Sequence, residues 1–304
     1  MEKRLLGRTK LSVTVLGYGA MELRSLPESE ATPLMNAVLD QGINYIDTSP
    51  DYGSSEEYIG KAIAHRRNEY FLASKCGCNI DPAGKGKTPP HLWTRSQLLR
   101  NIENSLRLLK TDYLDVWQLH GTLPDELPGG RKDEVIHTLQ EIKKQGKVRW
   151  IGISYKNGGS GDPLYPDGYS HKYFQAMLDF NVFDVMQIVY GGMVRRNETV
   201  IAKAAELGVG VVVRGVVKLY VPDFPERFAR AGLLDLCETG ETMSQFLLRF
   251  ALNQSGLSTT IIGTKSAAHL AENIRAAQRG KLPEDIFQEA SQRLNTAGIQ
   301  PQDL

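Results

Sequence analysis

Short apolar runs alternate with longer amphipathic runs along almost the whole chain, and the alternation repeats about eight times without a break in composition. The short runs are rich in Val, Ile and aromatic residues, as strands are. They are SVTVLG, NYIDT, YFLASK, YLDVWQL, VRWIGIS, DVMQIVY, VGVVVR and STTIIG. Eight strands that are each followed by a helix favour an α/β fold with a closed parallel (β/α)8 TIM barrel over an open doubly wound sheet, although the pattern alone allows both.

Start and stop signals predict where several helices lie. Thr32 and Pro33 precede LMNAVLDQG, which closes on a glycine. Thr94 is the predicted N-cap of TRSQLLRNIENSLRLLK, and Asp133 is predicted to open DEVIHTLQEIKKQG. Further helices are predicted at RNETVIAKAAELG, ETMSQFLLRFALNQ and AAHLAENIRAAQ.

Three irregular stretches interrupt this rhythm after the third, fifth and seventh strands. They are NIDPAGKGKTPPHLW, YKNGGSGDPLYPDGYSHK and GVVKLYVPDFPERFARAG. Each one alone is equally well explained as a tolerated surface insertion. Because all three follow strands, they would crowd the face of a barrel where active sites are built, and together they predict extra loops around a substrate pocket.

Composition narrows the class of protein. The 304 residues fit one barrel domain spanning 1–304, and the formal charge of +1 argues against a dedicated nucleic-acid or anionic-membrane surface. No run of about 18 apolar residues occurs and the N-terminus lacks an apolar signal region, so we expect a cytoplasmic protein. Cys76 and Cys78 lack the second pair of a structural zinc site, and the histidines show no HxH or HxxxH pairing, so we expect no metal.

Four polar residues at the ends of consecutive predicted strands carry the candidate chemistry: Asp47, Tyr52, Lys75 and His120. A phenol with a pKa near 10 holds its proton at neutral pH, and a nearby ammonium such as Lys75 would lower that pKa. Asp47 would keep Lys75 protonated and oriented, while His120 would hydrogen-bond a carbonyl oxygen. The set suits the protonation of an alkoxide.

Each of these residues also has an ordinary structural explanation. Asp47 can cap a strand end, Tyr52 can be a turn residue, Lys75 can be a solvated strand end and His120 can be a core imidazole. Considered together they favour an active site, because complementary polar residues at successive strand ends are what a barrel active site requires.

The chain resembles the aldo-keto reductases. The similarity lies in LGRTKLSVTVLGYGAM, INYIDTSPDYGSSEEYIGKAI, FLASK, TRSQLLRNIENSLRLLKTDYLDVWQLHG, KVRWIGIS, VMQIVYG and STTIIGTKSAAHLAENIRAA, which together cover most of the chain. The resemblance implies a (β/α)8 barrel opened by a short β-hairpin near Arg4 to Val13. It also implies hydride transfer from NAD(P)H to an aldehyde or ketone. In that reaction Tyr52 is the general acid, Lys75 and Asp47 tune it, and His120 orients the carbonyl.

For the nicotinamide end of the cofactor, the resemblance assigns Gln187 and Ser154 to the carboxamide. Tyr155 stands where relatives usually have asparagine, and an aromatic there can pack on the ring or line the pocket. Arg214 stands where many relatives stack a tyrosine on the nicotinamide. A planar guanidinium can also stack, and the alternative is an ion pair at the barrel rim.

For the adenosine end, the resemblance assigns the loop and helix after the last strand. The matching positions are Gly263, Thr264, Lys265, Ser266, His269, Glu272 and Asn273. A helix N-terminus suits a phosphate, and Lys265 supplies charge for a 2′-phosphate, so NADPH is favoured over NADH. His269 replaces a more common Arg or Gln, and Lys265 can alternatively be a solvated loop charge.

Two hypotheses about function remain open at the level of sequence. The first is a working carbonyl reductase, which could also run in reverse on alcohol or sugar substrates. The second is a nucleotide-binding regulatory subunit with the same fold and little turnover. The complete set of four residues favours the enzyme. Met21 and Trp93 are candidates for the substrate pocket, and the expected partner is a small carbonyl compound, not a nucleic acid or a membrane. The sequence does not indicate an oligomeric state.

Overall fold

A computed structural model describes residues 1–78, 92–121, 131–155, 169–217 and 223–301 of the chain. Its core is a closed barrel of eight parallel strands, in the order β10-β3-β4-β5-β6-β7-β8-β9. A separate two-stranded sheet lies at the N-terminus. The two short strands are β1 (Lys3–Leu5) and β2 (Ser12–Thr14). The barrel strands are β3 (Leu16–Gly19), β4 (Tyr45–Asp47), β5 (Phe71–Cys76), β6 (Leu114–His120), β7 (Val148–Ser154), β8 (Val185–Val189), β9 (Gly210–Arg214) and β10 (Thr259–Ile262).

Ten α-helices accompany the strands within the described ranges. They are α1 (Glu28–Asp40), α2 (Ser55–Ile63), α3 (Arg95–Leu109), α4 (Arg131–Lys144), α5 (Tyr169–Asp179), α6 (Glu198–Glu206), α7 (Phe224–Arg230), α8 (Met243–Leu252), α9 (Ala267–Arg279) and α10 (Glu284–Thr296). No helix among the described residues is long and apolar enough to cross a membrane. The predicted (β/α)8 barrel and its N-terminal hairpin are therefore confirmed.

The hairpin closes the amino-terminal end of the barrel. β1 and β2 pair antiparallel with Arg4 opposite Val13. Leu6 and Val13 are buried against the inward-facing side chains of the strands, such as Tyr45 and Val116. The apolar run SVTVLG is thus divided between β2 and β3, because its first half pairs back on β1 before the chain enters the barrel.

Helix starts agree with the sequence where a capping side chain sets them. The Thr94 hydroxyl accepts a hydrogen bond from the amide of Gln97 (3.3 Å), which confirms the predicted N-cap of α3. Thr242 likewise caps α8 and forms a capping box with Gln245.

The predicted start of α1 is wrong, because the helix begins at Glu28 and encloses Thr32 and Pro33. The reason is a stronger signal one turn earlier. Pro27 is extended, and Glu28 and Glu30 place carboxylates in the first turn, where they complement the helix dipole. Helix α4 begins at Arg131, two residues before the predicted Asp133, a difference of the size usual for helix ends.

The predicted loops after the third and fifth strands fall mainly on residues 79–91 and 156–168, outside the described residues. Of the stretch after the seventh strand, residues 218–222 also lie outside. Its second half is not a loop, because residues from Phe224 to Arg230 form α7 with a proline in the first turn.

Candidate active site

The carboxyl ends of β4 and β5 bring Asp47 and Lys75 into direct contact. Nζ of Lys75 lies 2.6 Å from Oδ2 of Asp47 and donates a second hydrogen bond to the carbonyl of Thr48 (2.7 Å). Both side chains are almost completely buried, at 0 % and 2 % exposure. An ammonium has three donors, so this arrangement leaves one N–H of Lys75 for a further acceptor.

Tyr52 and His120 complete the group of four. Tyr52 follows β4 in a turn, and Nζ of Lys75 lies 4.6 Å from the centroid of its ring. His120 is the last residue of β6, and its ring meets that of Tyr52 edge to face with centroids 6.3 Å apart. The structure thus brings together all four residues that the sequence singled out.

The pKa of Tyr52 differs from the expectation. Burial raises the pKa of this phenol, and the charge of Lys75 opposes that shift without overcoming it. The sequence argument had the direction of the lysine effect right but omitted burial. The phenol therefore keeps its proton at neutral pH until an acceptor takes it.

Lys75 stays charged in spite of its burial. Removal from water lowers the pKa of an ammonium, but the neighbouring carboxylates, Asp47 above all, more than compensate, so the pKa of Lys75 is raised. The site accordingly holds a fixed positive charge beside the phenol.

A glutamine that sequence reasoning missed holds Asp47 in place. Nε2 of Gln118, which is fully buried, donates to Oδ1 of Asp47 (2.9 Å), and Nε2 of Gln187 donates to the same oxygen (2.7 Å). Gln118 lies directly opposite Lys75 in the β5–β6 register. It precedes His120 by two residues on one strand, and this spacing puts both on the same face, a signal that would have found it.

The residues assigned to the nicotinamide carboxamide lie next to this network. Ser154 and Gln187 are paired across β7 and β8, and the Ser154 hydroxyl donates to Oε1 of Gln187 (2.8 Å). Both are buried. A continuous chain of hydrogen bonds therefore runs from Ser154 through Gln187 and Asp47 to Lys75.

At the nicotinamide end, the two positions that depart from the family pattern differ in burial. Tyr155 is buried, and its ring packs edge to face against Phe174 with centroids 6.1 Å apart, so it belongs to the core. Arg214 ends β9 and is half-buried. Its charge acts to lower the pKa of Tyr52, although burial of the phenol outweighs this effect.

The loop from β10 to α9 is fixed by its own hydrogen bonds. The hydroxyl of Tyr18 donates to the carbonyl of Thr264 (2.8 Å), and the Thr264 hydroxyl accepts from the amide of Ser266 (3.1 Å). Ser266 is the N-cap of α9 and accepts from the amide of His269 (3.4 Å). Gly263 passes close to β3, because a Cβ there would lie 2.8 Å from the carbonyl oxygen of Gly19.

The remaining predicted residues occupy distinct surroundings. Lys265 and His269 are exposed at the start of α9, and Glu272 and Asn273 are half-buried further along that helix. Met21 is half-buried in the 3₁₀ turn after β3. Trp93 is largely buried in the main core and its indole packs on Gly77, so its ring contributes mostly to the wall of the barrel.

A closed barrel of eight parallel strands that gathers a phenol, a buried ammonium–carboxylate pair and an imidazole at its carboxyl end defines a barrel enzyme equipped for proton transfer. Comparison with sequence models of protein families gives a match over residues 15–219 to the family described as "Aldo/keto reductase family". The chain belongs to the aldo/keto reductase family of oxidoreductases.

Similar proteins agree with this assignment over nearly the full chain. The "Uncharacterized oxidoreductase YqkF" of Bacillus subtilis is 30 % identical and is matched over 94 % of each chain. L-galactose dehydrogenase of Arabidopsis thaliana is 25 % identical, over 91 % of this chain and 88 % of the plant enzyme. Among solved structures, the holo form of aldo-keto reductase AKR11C1 from Bacillus halodurans superposes with a TM-score of 0.82 at 27 % identity, covering 96 % of each chain.

Proposed function

We propose that this chain is an NADPH-dependent reductase of aldehydes or ketones in which Tyr52 supplies the proton. The observation that carries the proposal is the contact set at the carboxyl ends of β4 to β6: a protonated phenol beside a buried ammonium that is held by a carboxylate. The regulatory alternative is not favoured, since the relatives named above are an oxidoreductase, a dehydrogenase and a reductase.

The chain offers donors that fit a nicotinamide dinucleotide phosphate. The exposed N-terminus of α9 suits phosphate oxygens. The hydroxyl of Ser266 accepts a hydrogen bond from only one of the first amides of the helix, that of His269, so the side-chain cap does not occupy the other amides. Lys265 beside it is exposed and provides a cation for a 2′-phosphate. Ser154 and Gln187 would bind the carboxamide by exchanging part of their present hydrogen bonds, since Ser154 donates to Gln187 and Gln187 donates to Asp47. When bound, the cofactor would supply the hydride.

The residues of the chain itself would handle the proton. Tyr52 donates its proton to the oxygen of the reduced carbonyl, which is a stronger base than phenolate. Lys75 stabilises the phenolate that forms, because its ammonium is fixed 4.6 Å from the ring before the reaction begins. His120 lies edge-on to the phenol and would orient the carbonyl oxygen toward it.

Asp47 would act through Lys75 and not on the substrate. Its carboxylate raises the pKa of Lys75, and Gln118 and Gln187 fix its second oxygen. The ammonium therefore keeps both its charge and its position while the phenol loses a proton.

The substrate class is the finer part of the proposal. The resemblance to L-galactose dehydrogenase supports the inclusion of sugars and their alcohols, in the oxidative as well as the reductive direction. A panel of small aldehydes, ketones and aldoses would distinguish a narrow sugar specificity from a broad one.

The experiment measures oxidation of NADPH and of NADH by absorbance against that panel, for the wild type and Tyr52→Phe. We expect turnover to fall about a hundredfold or more in the variant, the usual contribution of a general acid, while NADPH binding measured by fluorescence is kept. Tyr58→Phe, the same substitution on α2 away from the site, is the matched control and should behave as the wild type.

Equal rates for the wild type and Tyr52→Phe would overturn the assigned proton donor. Tight binding of NADPH with no turnover on any carbonyl would instead favour the regulatory subunit. A preference for NADH would leave the proton donor in place and remove the 2′-phosphate role of Lys265.

A further inference from the structure

Three side chains of the types that bind metals come together from three different parts of the chain. Those of Asp51 and Cys78 both lie close to Nδ1 of His120. Asp51 lies in the turn after β4, Cys78 comes two residues after β5, and His120 ends β6. One ligand atom from each lies within 4.8 Å of the other two. Among the described residues no other group of three or more His, Cys, Asp or Glu side chains is arranged to hold a metal ion.

Two of the three spacings between the ligand atoms match the edges of a tetrahedral zinc site, and the third is below 4.8 Å. Sγ of Cys78 lies 3.4 Å from Nδ1 of His120, and the same nitrogen lies 3.5 Å from Oδ2 of Asp51. Zinc bonds of roughly 2.0–2.3 Å to nitrogen, oxygen and sulfur give tetrahedral edges of about 3.3–3.6 Å. The three atoms are therefore close enough to share one cation.

We propose that Asp51, Cys78 and His120 form a binding site for a divalent cation of the zinc type. The ligand set of thiolate, imidazole and carboxylate selects Zn²⁺ or Co²⁺ over Mg²⁺ and Ca²⁺, which prefer oxygen ligands alone. Three protein ligands leave a fourth position for the nearby hydroxyl of Ser49 or for a solvent molecule.

The ligands are held by neighbours, as the ligands of metal sites usually are. The Ser49 hydroxyl donates to Oδ1 of Asp51, and Oδ2 of the same carboxylate faces Nδ1 of His120. The carbonyl of Cys78 accepts hydrogen bonds from Gln97 (2.8 Å) and Asn101 (2.9 Å) of α3, so the backbone that carries the thiol is fixed.

The charges of the ligands match that of a divalent cation. Lys75 and Asp47 form an ion pair that cancels to zero. Asp51 and the thiolate of Cys78 then match a charge of two on the metal. The proton displaced from the thiol leaves with solvent, so no oxidant or reductant is needed.

The sequence hides this site because its members are 27 and 42 positions apart, with no short motif between them. The search for a zinc pattern around Cys76 and Cys78 finds no partner pair. Only the pairing of β4 with β5 and of β5 with β6 brings the turn after β4 and the end of β6 to the thiol.

The test is a titration of the untagged chain with Zn²⁺ by calorimetry and with Co²⁺ by absorbance. We expect one ion per chain, and a thiolate-to-cobalt charge-transfer band together with the intense visible bands of a tetrahedral site. Cys78→Ser should weaken binding about a hundredfold or more and abolish the charge-transfer band, because a serine hydroxyl is a poor ligand for these metals. Cys76→Ser, the same change on a buried thiol outside the group, should leave both unchanged.

Circular dichroism and thermal unfolding first establish that both variants are folded. The cobalt spectrum of the wild type needs no variant, so the proposal stays testable even if Cys78→Ser does not fold. A cobalt complex without a thiolate band, a failure to bind Zn²⁺, or equal affinities for the wild type and Cys78→Ser would each overturn it. These readouts are independent of turnover, and the outcome does not depend on the proposed reductase activity.

Discussion

The proton-donor half of the site, made of Asp47, Tyr52, Lys75 and His120, is built differently from the cofactor half around Lys265 and α9. In the proton-donor half, charges are buried and satisfy one another across three strands. In the cofactor half, Lys265 is exposed on a loop that is held by backbone and hydroxyl contacts, and His269 is exposed in the first turn of α9. Substitution of a charged residue in the proton-donor half should therefore lower the free energy of unfolding of the protein, whereas substitution in the cofactor half should leave it nearly unchanged.

Lys75→Met should produce the largest effect. It removes the partner of a buried carboxylate, and an uncompensated buried charge costs about 3–5 kcal/mol. We expect a drop of that size in the free energy of unfolding, measured with urea, and a partial recovery in Lys75→Met combined with Asp47→Asn. A single variant as stable as the wild type would show that the two halves are built alike.

Glu56→Gln should change how stability depends on pH. Glu56 is buried behind the site on α2, where Ser74 next to Lys75 donates to it (2.7 Å), and burial raises its pKa from 4.5 to about 7. The folded protein therefore retains a proton that the unfolded chain releases. Its contribution to stability is complete below about pH 4.5 and is lost as the pH rises to about 7, an amount of about 3 kcal/mol.

Glu56→Gln lacks this titration and keeps an acceptor for Ser74. Urea unfolding at about pH 4 and about pH 8 should show that the wild type loses about 3 kcal/mol more than the variant between the two conditions. Parallel losses would mean that Glu56 is ionised in the folded protein.

Gln118→Met should have a smaller effect, because Asp47 keeps its contacts to Lys75 and Gln187. Loss of one hydrogen bond to a buried carboxylate costs about 1–3 kcal/mol. Gln97→Met on α3 is the comparison of equal size, because it removes a hydrogen bond to the carbonyl of Cys78 and one from Arg100 but none to a carboxylate. If both cost the same, the charge of Asp47 contributes nothing special.

Lys265→Ala should leave stability within about 0.5 kcal/mol of the wild type, since the side chain is exposed. Under the proposed function, its affinity for NADPH should fall about tenfold while its affinity for NADH stays the same. Parallel titrations of the two nucleotides decide this. A loss of stability without a change in NADPH preference would reverse the contrast between the halves.

The sequence predicted those features that depend on local pattern. The eight strand runs and the Thr94 cap are local, and so is the placement of Asp47, Lys75 and His120 at strand ends. The start of α1 was missed because the Thr32–Pro33 signal competed with the acidic turn after Pro27. The role of Gln118 could have been predicted, because it lies two residues before His120 on one strand and therefore faces the same side.

Other features depend on three-dimensional packing and leave no local trace. The net shift in the pKa of Tyr52 comes from burial by residues distant in sequence. The sequence suggested that Tyr155 could line the pocket, but its ring packs against Phe174 in the core. The group of Asp51, Cys78 and His120 exists only once neighbouring strands are in register.

The closure of the barrel has a consequence for synthesis of the chain. β3 pairs with β10, with Tyr18 opposite Ile262, so this pair forms only after the end of the chain has been made. The guanidinium of Arg4 likewise binds the carbonyls of Leu252 and Leu257. A nascent chain therefore exposes the edge of β3 on the ribosome until most of the protein has been translated. The edge of β3 would need protection during synthesis, and a chain that stops before β10 would leave that edge open to pairing with other sheets.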